Sequence, residues 1–283
     1  MAVAISGFAH VNLNCAELAR SKRFYEHALG LRALVHTDPA PQDCSAFGLS
    51  EPGQWDAWML GYAEPGSGIA LDLLEWLRPR PLPAPPPPAL GFAALGFDVP
   101  DVDAAIGLIE GAGGRARILA GENARTFAAL DPDGQLIHVR EGERSRMAFV
   151  RVSCSELERS LAFYAEVFGL KAVAGFAPSS TMLALPGEAS GFRVELAWAG
   201  TTGAGQPGPA RAEANRLGLF RMAFLCPDLA RAHAELQALG VPGLSAVADL
   251  DLGPSCPAPR CRALFFRDPD GACVELIEVP APT

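Results

Sequence analysis

One stretch of this chain occurs twice. Arg20 to Leu31 (RSKRFYEHALGL) and Arg159 to Leu170 (RSLAFYAEVFGL) share an opening Arg-Ser, a central Phe-Tyr and a closing Gly-Leu, with the tyrosines 139 residues apart. A second motif, Asp-Pro-Asp-Gly, stands at 131–134 and returns at 268–271, an offset of 137. Two motifs that recur in the same order at nearly the same offset mark an internal duplication, so the fold must be one that a unit of about 140 residues can make twice.

Each half divides again. Four segments, 8–30, 92–113, 147–169 and 219–240, open with an alternating strand and pass into an amphipathic helix. In the first, Val11 and Leu13 alternate with His10, Asn12 and Asn14, which puts apolar side chains on one face and polar ones on the other. The helix predicted over 17–29 turns Leu18, Phe24, Ala28 and Leu29 toward a core and stops at Gly30; Gly169 and Gly240 stand at the same place in their repeats. Short apolar runs follow each helix, around 44–49, 55–62 and 68–76 in the first module and around 244–250, 261–267 and 272–279 in the fourth, and read as three strands. Asp-Pro-Asp-Gly falls between the last two strands of modules two and four, where Pro presets a turn and Gly supplies positive φ.

Linkers fall between these units. Residues 79–88 end in a proline run that forms a stiff spacer, and 199–215 is a looser Gly/Ala/Pro-rich joint. With a charged hinge at 141–146, the expected domains are 1–145 (modules 1–78 and 89–142) and 146–283 (modules 146–198 and 216–281).

Composition narrows the function. With a formal charge of −9 and no Lys/Arg-rich run, the chain has no field to attract nucleic acid, which is not expected as a partner. No apolar run reaches the length of a membrane span and no secretory leader is visible, so a cytoplasmic protein without a membrane partner is expected. The seven cysteines are odd in number and scattered through apolar contexts, which suits buried free thiols better than a disulfide framework. Cys256 and Cys261 lack a second close pair and make a poor zinc signal.

His10-Val-Asn-Leu before a helix reading Leu-x-x-Ser-x-x-Phe-Tyr and ending Gly-Leu, with a terminal Asp-Pro-Asp-Gly-x-x-Val-Glu-Leu-Ile-Glu278, resembles the vicinal-oxygen-chelate superfamily of glyoxalases, bleomycin-resistance proteins and extradiol dioxygenases. The resemblance covers all four modules. It implies an α+β fold of two tandem domains, four βαβββ modules forming two cup-shaped mixed sheets with helices outside, each domain making one cup. It also implies metal-ligand places on the first and last strand of each module. Those places fall at His10 and Asp72, at Ala94 and His138, at Phe149 and Glu195, and at Arg221 and Glu275.

On that reading the N-terminal cup keeps three donors, His10, Asp72 and His138. Two imidazoles and a carboxylate suit one divalent ion, Fe, Mn, Zn, Co or Ni, acting as a Lewis acid on vicinal oxygens. The alternative is that His10 is hydrogen-bonded in the cup and that Asp72 and His138 form an ordinary pair. The C-terminal cup has lost its site, because Phe149 cannot ligate and Arg221 is a permanent cation that Glu195 and Glu275 flank. There a structural ion network is the plainer expectation, and a substrate carboxylate held by Arg221 the alternative. Asn12, Asn14, Phe149, Arg151, Glu195, Arg221 and Glu275 are the candidate substrate-binding residues. No general base is identified, since Glu75 sits on the strand face opposite Asp72.

Three functions stay open. The first is a metal-dependent lyase, isomerase or dioxygenase acting on a small organic substrate. The second is a metal-free protein that sequesters a small molecule or antibiotic, and the third a metal-free natural-product tailoring enzyme. No nucleotide cofactor is expected, and a homodimer is left open.

Overall fold

The computed structural model describes residues 2–64, 67–84, 90–118, 126–173, 179–200 and 213–278. Four βαβββ modules follow one another. The first is β1 (Gly7–Asn14), α1 (Leu18–Leu29), β2 (Arg32–Thr37), β3 (Gln54–Gly61) and β4 (Ala70–Arg78). The second is β5 (Gly91–Val99), α2 (Val102–Gly111), β6 (Arg115–Ile118), β7 (Thr126–Leu130) and β8 (Leu136–Glu141). The third is β9 (Arg146–Cys154), α3 (Leu157–Phe168), β10 (Lys171–Val173), β11 (Ser180–Ala184) and β12 (Arg193–Trp198). The fourth is β13 (Gly218–Leu225), α4 (Leu229–Leu239), β14 (Ala248–Asp251), β15 (Arg260–Arg267) and β16 (Cys273–Glu278). All four strand-to-helix units lie where the alternation placed them.

The pairing of modules differs from the expectation. One eight-stranded sheet runs β14-β15-β16-β13-β1-β4-β3-β2 and the other β10-β11-β12-β9-β5-β8-β7-β6. Module one therefore shares a sheet with module four, and module two with module three. The joints are antiparallel, β1 on β13 and β5 on β9, while the first and last strands of each module run parallel. Each cup is made by both halves of the chain.

The tandem halves hold together another way. Tyr25 on α1 donates to Asp131 at 3.0 Å, and Asp133 accepts from Ser21 and from the Ala16 backbone N–H. The other half repeats this: Tyr164 donates to Asp268, and Asp270 accepts from the backbone and hydroxyl of Ser155. The Asp-Pro-Asp-Gly turn of one module thus supplies acceptors at the helix start of the module before it. This explains why α1 and α3 lack a side-chain cap of their own, whereas Asp101 and Asp228 cap α2 and α4. Glu75, on the face of β4 turned from the cup, accepts from the Leu18 N–H at 2.7 Å. Gly30, Gly169 and Gly240 close their helices in the left-handed conformation, as their sequence positions require.

All four helices and one face of each sheet belong to a single buried apolar cluster. The opposite faces are the cups, and they differ. Over sheet one lies a cluster of thirteen buried apolar side chains, among them Phe47, Trp55, Trp76, Phe220 and Phe265, whereas the corresponding apolar cluster on sheet two consists of Ala148, Phe149 and Met182 among the described residues. The difference comes from 44–49, which is not the expected strand but a turn of 3-10 helix at Ser45–Phe47 that inserts into the first cup. The first strand after α1 is instead β2, an edge strand too exposed to show an apolar pattern. All seven cysteines are buried free thiols. No helix among the described residues is long and apolar enough to cross a membrane.

Candidate functional site

In sheet one, β1 lies between β4 and β13, so Asn12 stands beside Asp72 on one side and Arg221 on the other. Arg221 reaches from β13 across the cup, donating from Nη2 to Asp72 at 2.7 Å and from Nε to Glu275 at 2.7 Å. His10 Nε2 lies 3.2 Å from the same Glu275 oxygen and 3.9 Å from Asp72. The carboxylate can only accept, so His10 carries its proton on Nε2. Burial by itself would raise the Glu275 carboxyl, but Arg221 and His10 outweigh it and hold it down at about 2. Burial likewise opposes the charge on Arg221, and Glu275 and Asp72 more than restore it.

This cluster is closed off. His10, Asp72, Arg221 and Glu275 are all buried, and the guanidinium lies 5.6 Å from the Phe47 ring and 5.9 Å from that of Phe220. Phe47 packs against Trp55, Trp76 and Phe265 and seals the cup. A cavity of about 750 Å³ opens beyond it, lined by Phe47, Phe265, Cys273, Arg267 and the 268–271 turn, but none of the four charged residues lines it. The two candidate binding asparagines are also occupied. Asn12 donates to Asp72, and Asn14 donates to the Ala214 and Arg216 carbonyls, tying down the segment that leads into β13.

His138 is in the other sheet, so the expected trio of His10, Asp72 and His138 does not converge. Its neighbours come from module three. Arg151 on β9 makes a two-point contact with Glu195 on β12, at 2.7 and 3.1 Å, and places Nη1 3.3 Å from His138 Nε2. A guanidinium can only donate, so His138 Nε2 is an acceptor. Glu195 is fully buried while the Arg151 side chain keeps 28% of its exposure, so this cluster, unlike the first, meets solvent. The Phe149 ring lies against β5, in space left by Gly96, where a Cβ would stand 2.1 Å from the ring. Arg140 lies over that ring at 5.2 Å and, with Arg146, pairs with the buried Asp98. Sequence reasoning missed Asp98, Arg140 and Phe47; the first two lie on a cup whose partner module had been misassigned.

The family follows from a scan of the chain, in which one family model matches twice, over residues 7–139 and 146–276. The chain belongs to the Glyoxalase/Bleomycin resistance protein/Dioxygenase superfamily. Among solved structures the chain resembles glyoxalase I from Zea mays, with a TM-score of 0.67 at 19% identity over 96% of this chain and 92% of that one. It also resembles a proposed dioxygenase from Bacillus subtilis, with a TM-score of 0.67 at 13% identity over 99% and 87%. Comparison with curated protein sequences returns no match.

The superfamily resemblance implies a divalent ion in a cup, and neither cup suits one. In sheet one both carboxylates are engaged by Arg221, whose permanent charge fills the space between them. In sheet two the places on β5 and β9 hold Ala94 and Phe149, and Arg151 stands between His138 and Glu195. Among the described residues no group of three or more His, Cys, Asp or Glu is arranged to hold a metal ion.

Proposed function

We propose that this chain is a metal-independent member of its superfamily that binds and transforms a small organic molecule in the cup of sheet two, the cup of sheet one serving as a structural core. The observation that carries this reading is the contrast between the cups. The Arg221 cluster is buried under Phe47, whereas His138, Arg140 and Arg151 retain partial exposure around the Phe149 ring. A small-molecule site needs a few converging polar groups set among apolar side chains, and the second cup gathers His138, Arg140 and Arg151 around the buried Phe149 ring.

The reaction class is proton transfer. His138 Nε2 carries no proton and accepts from Arg151 Nη1 at 3.3 Å; it can take a substrate proton once Arg151 turns from it to the developing negative charge, which Arg140 also faces. Glu195 holds Arg151 in place from beneath. Isomerase or lyase chemistry on a carbonyl-bearing substrate fits this set of groups.

Affinity-selection mass spectrometry of a metabolite library on the parent, His138→Ala and Phe47→Ala tests the assignment. Compounds should be retained by the parent and by Phe47→Ala, and be lost or left unconverted by His138→Ala. Retention that depends on Phe47 and not on His138 would move the site to sheet one. Elemental analysis of protein purified without chelator should give below about a tenth of an equivalent of any divalent ion. A stoichiometric ion that disappears in His10→Ala or His138→Ala would restore the metal-dependent reading.

A further inference from the structure

We infer that the cup of sheet two is a receptor for a small polyanion, an organic molecule carrying two or more carboxylate or phosphate groups. The inference rests on that cup being the working one and adds the charge of its ligand. It starts from a local reversal of sign. The chain has 23 Lys and Arg against 32 Asp and Glu. The strands of sheet two nevertheless carry seven Lys and Arg against three Asp and Glu.

The registers gather these cations on the cup face, Arg115 beside Arg117, since their partners Leu130 and Ala128 flank the core residue Ala129. Phe127, Ala129, Val139, Val150, Leu183 and Val194 point into the shared core, so their neighbours along each strand point into the cup. Arg117 is opposite Ala128, which is opposite His138. Arg193 is opposite Phe149, a cup residue. Lys171 shares a face with Val173, whose partner Met182 is also a cup residue. Arg140, Arg146 and Arg151 join them through their contacts with Asp98, Phe149 and His138.

The two carboxylates on this face are already engaged. Asp98 is divided between Arg140 and Arg146, and Glu195 is bound to Arg151. Arg117, Lys171 and Arg193 have no carboxylate partner among the described residues, and Arg117 and Lys171 are exposed. Like charges spread over one concave surface repel one another and raise the local concentration of anions, and guanidinium forks match carboxylate and phosphate oxygens. The buried Phe149 ring lies beneath Arg140. The positive face does not show as a run in the sequence, because its members are contributed one or two at a time by separate strands of two different modules.

Calorimetric titration with citrate and, separately, with pyrophosphate tests the inference and tells carboxylate from phosphate. Three proteins are compared: the parent, a cup variant (Arg117→Gln, Lys171→Gln, Arg193→Gln) and a control of equal charge change (Arg23→Gln, Arg32→Gln, Arg260→Gln). All six positions lie outside the ion pairs described above, so both variants should fold. At least one probe should bind the parent, weaken about tenfold or more in the cup variant, remain unchanged in the control, and weaken with added salt. Equal weakening in both variants would reduce the effect to net charge and overturn the inference, as would a parent that binds neither probe. A neutral ligand held through His138 and Phe149 would sink the inference while leaving the proposed function standing. Anion binding that survives in the cup variant but is lost in Arg267→Gln, beside sheet one, would overturn both.

Discussion

Arg221 donates to Asp72 at 2.7 Å although 149 residues separate them, a side-chain bond across the cup where the β1–β13 ladder joins the first module to the last. The same guanidinium holds Glu275, which His10 also approaches, and the four side chains pair with one another away from water. Such a buried group is stable only while every charge keeps its partner.

Arg221→Met should therefore cost more than Glu275→Gln. The first change leaves two buried carboxylates facing each other with one imidazole between them, at about 3–5 kcal/mol. The second leaves Arg221 bound to Asp72 and removes one charge with its shape kept. Urea melts of the two variants at neutral pH read the difference, and equal midpoints would show that the cluster is not the coupled unit described here.

Removing the guanidinium should also uncover a metal site that the parent does not offer. His10, Asp72 and Glu275 surround Arg221 without being arranged to hold an ion in the parent, and once the guanidinium is gone one imidazole with two carboxylates can close on a divalent transition ion. Ni²⁺ or Zn²⁺ should raise the melting temperature of Arg221→Ala and leave that of the parent unchanged. A variant that gains no more than its parent would mean that these donors do not converge.

Asp131 and Asp268 should make the fold less stable as pH rises through the acid range. Burial pushes both carboxyls up from 3.8 to about 6, against the hydrogen bonds they accept. Their contribution is full below 3.8, where both folded and unfolded forms are protonated, and is lost as pH climbs through 6, by on the order of 3 kcal/mol each. Glu275 works in the opposite sense, stabilising above 4.5 and failing only as pH falls toward 2, below this window. Urea midpoints should thus drop between pH 4 and pH 7 in the parent and stay flatter in the Asp131→Asn, Asp268→Asn double variant. Parallel profiles would remove these two groups from the account.

The local devices of the fold are legible in the chain because each is contained within a few residues. Alternation at 10–14, the helix stop at Gly30 and the Asp-Pro-Asp-Gly turns belong to this class. The choice of partner module is not, since it depends on which strand edges meet across distances far longer than any local motif, from Asp98 to Arg146 in one sheet and from Gly7 to Leu225 in the other. Misreading it moved His138 into the wrong cup, although the strand face assigned to it was correct. The run at 44–49 shows a second limit: a short apolar stretch suits a strand or a core plug equally, and Phe47 proves to be the plug.

The contact between Gly96 and Phe149 offers the most direct check on the second cup. Phe149 is buried, its ring fills the room that Gly96 leaves, and the registers put the two residues opposite each other on β5 and β9. Gly96→Ala should drive a methyl into that ring and cost about 1–3 kcal/mol through overpacking. Phe149→Ala should be destabilising by cavity formation, at about 3–5 kcal/mol. Because both changes act on the same volume, the double variant should be better than the sum, with a coupling of about 1 kcal/mol or more in a double-mutant cycle. Additive costs would place the ring elsewhere and, with it, take away the floor on which Arg140 and His138 converge.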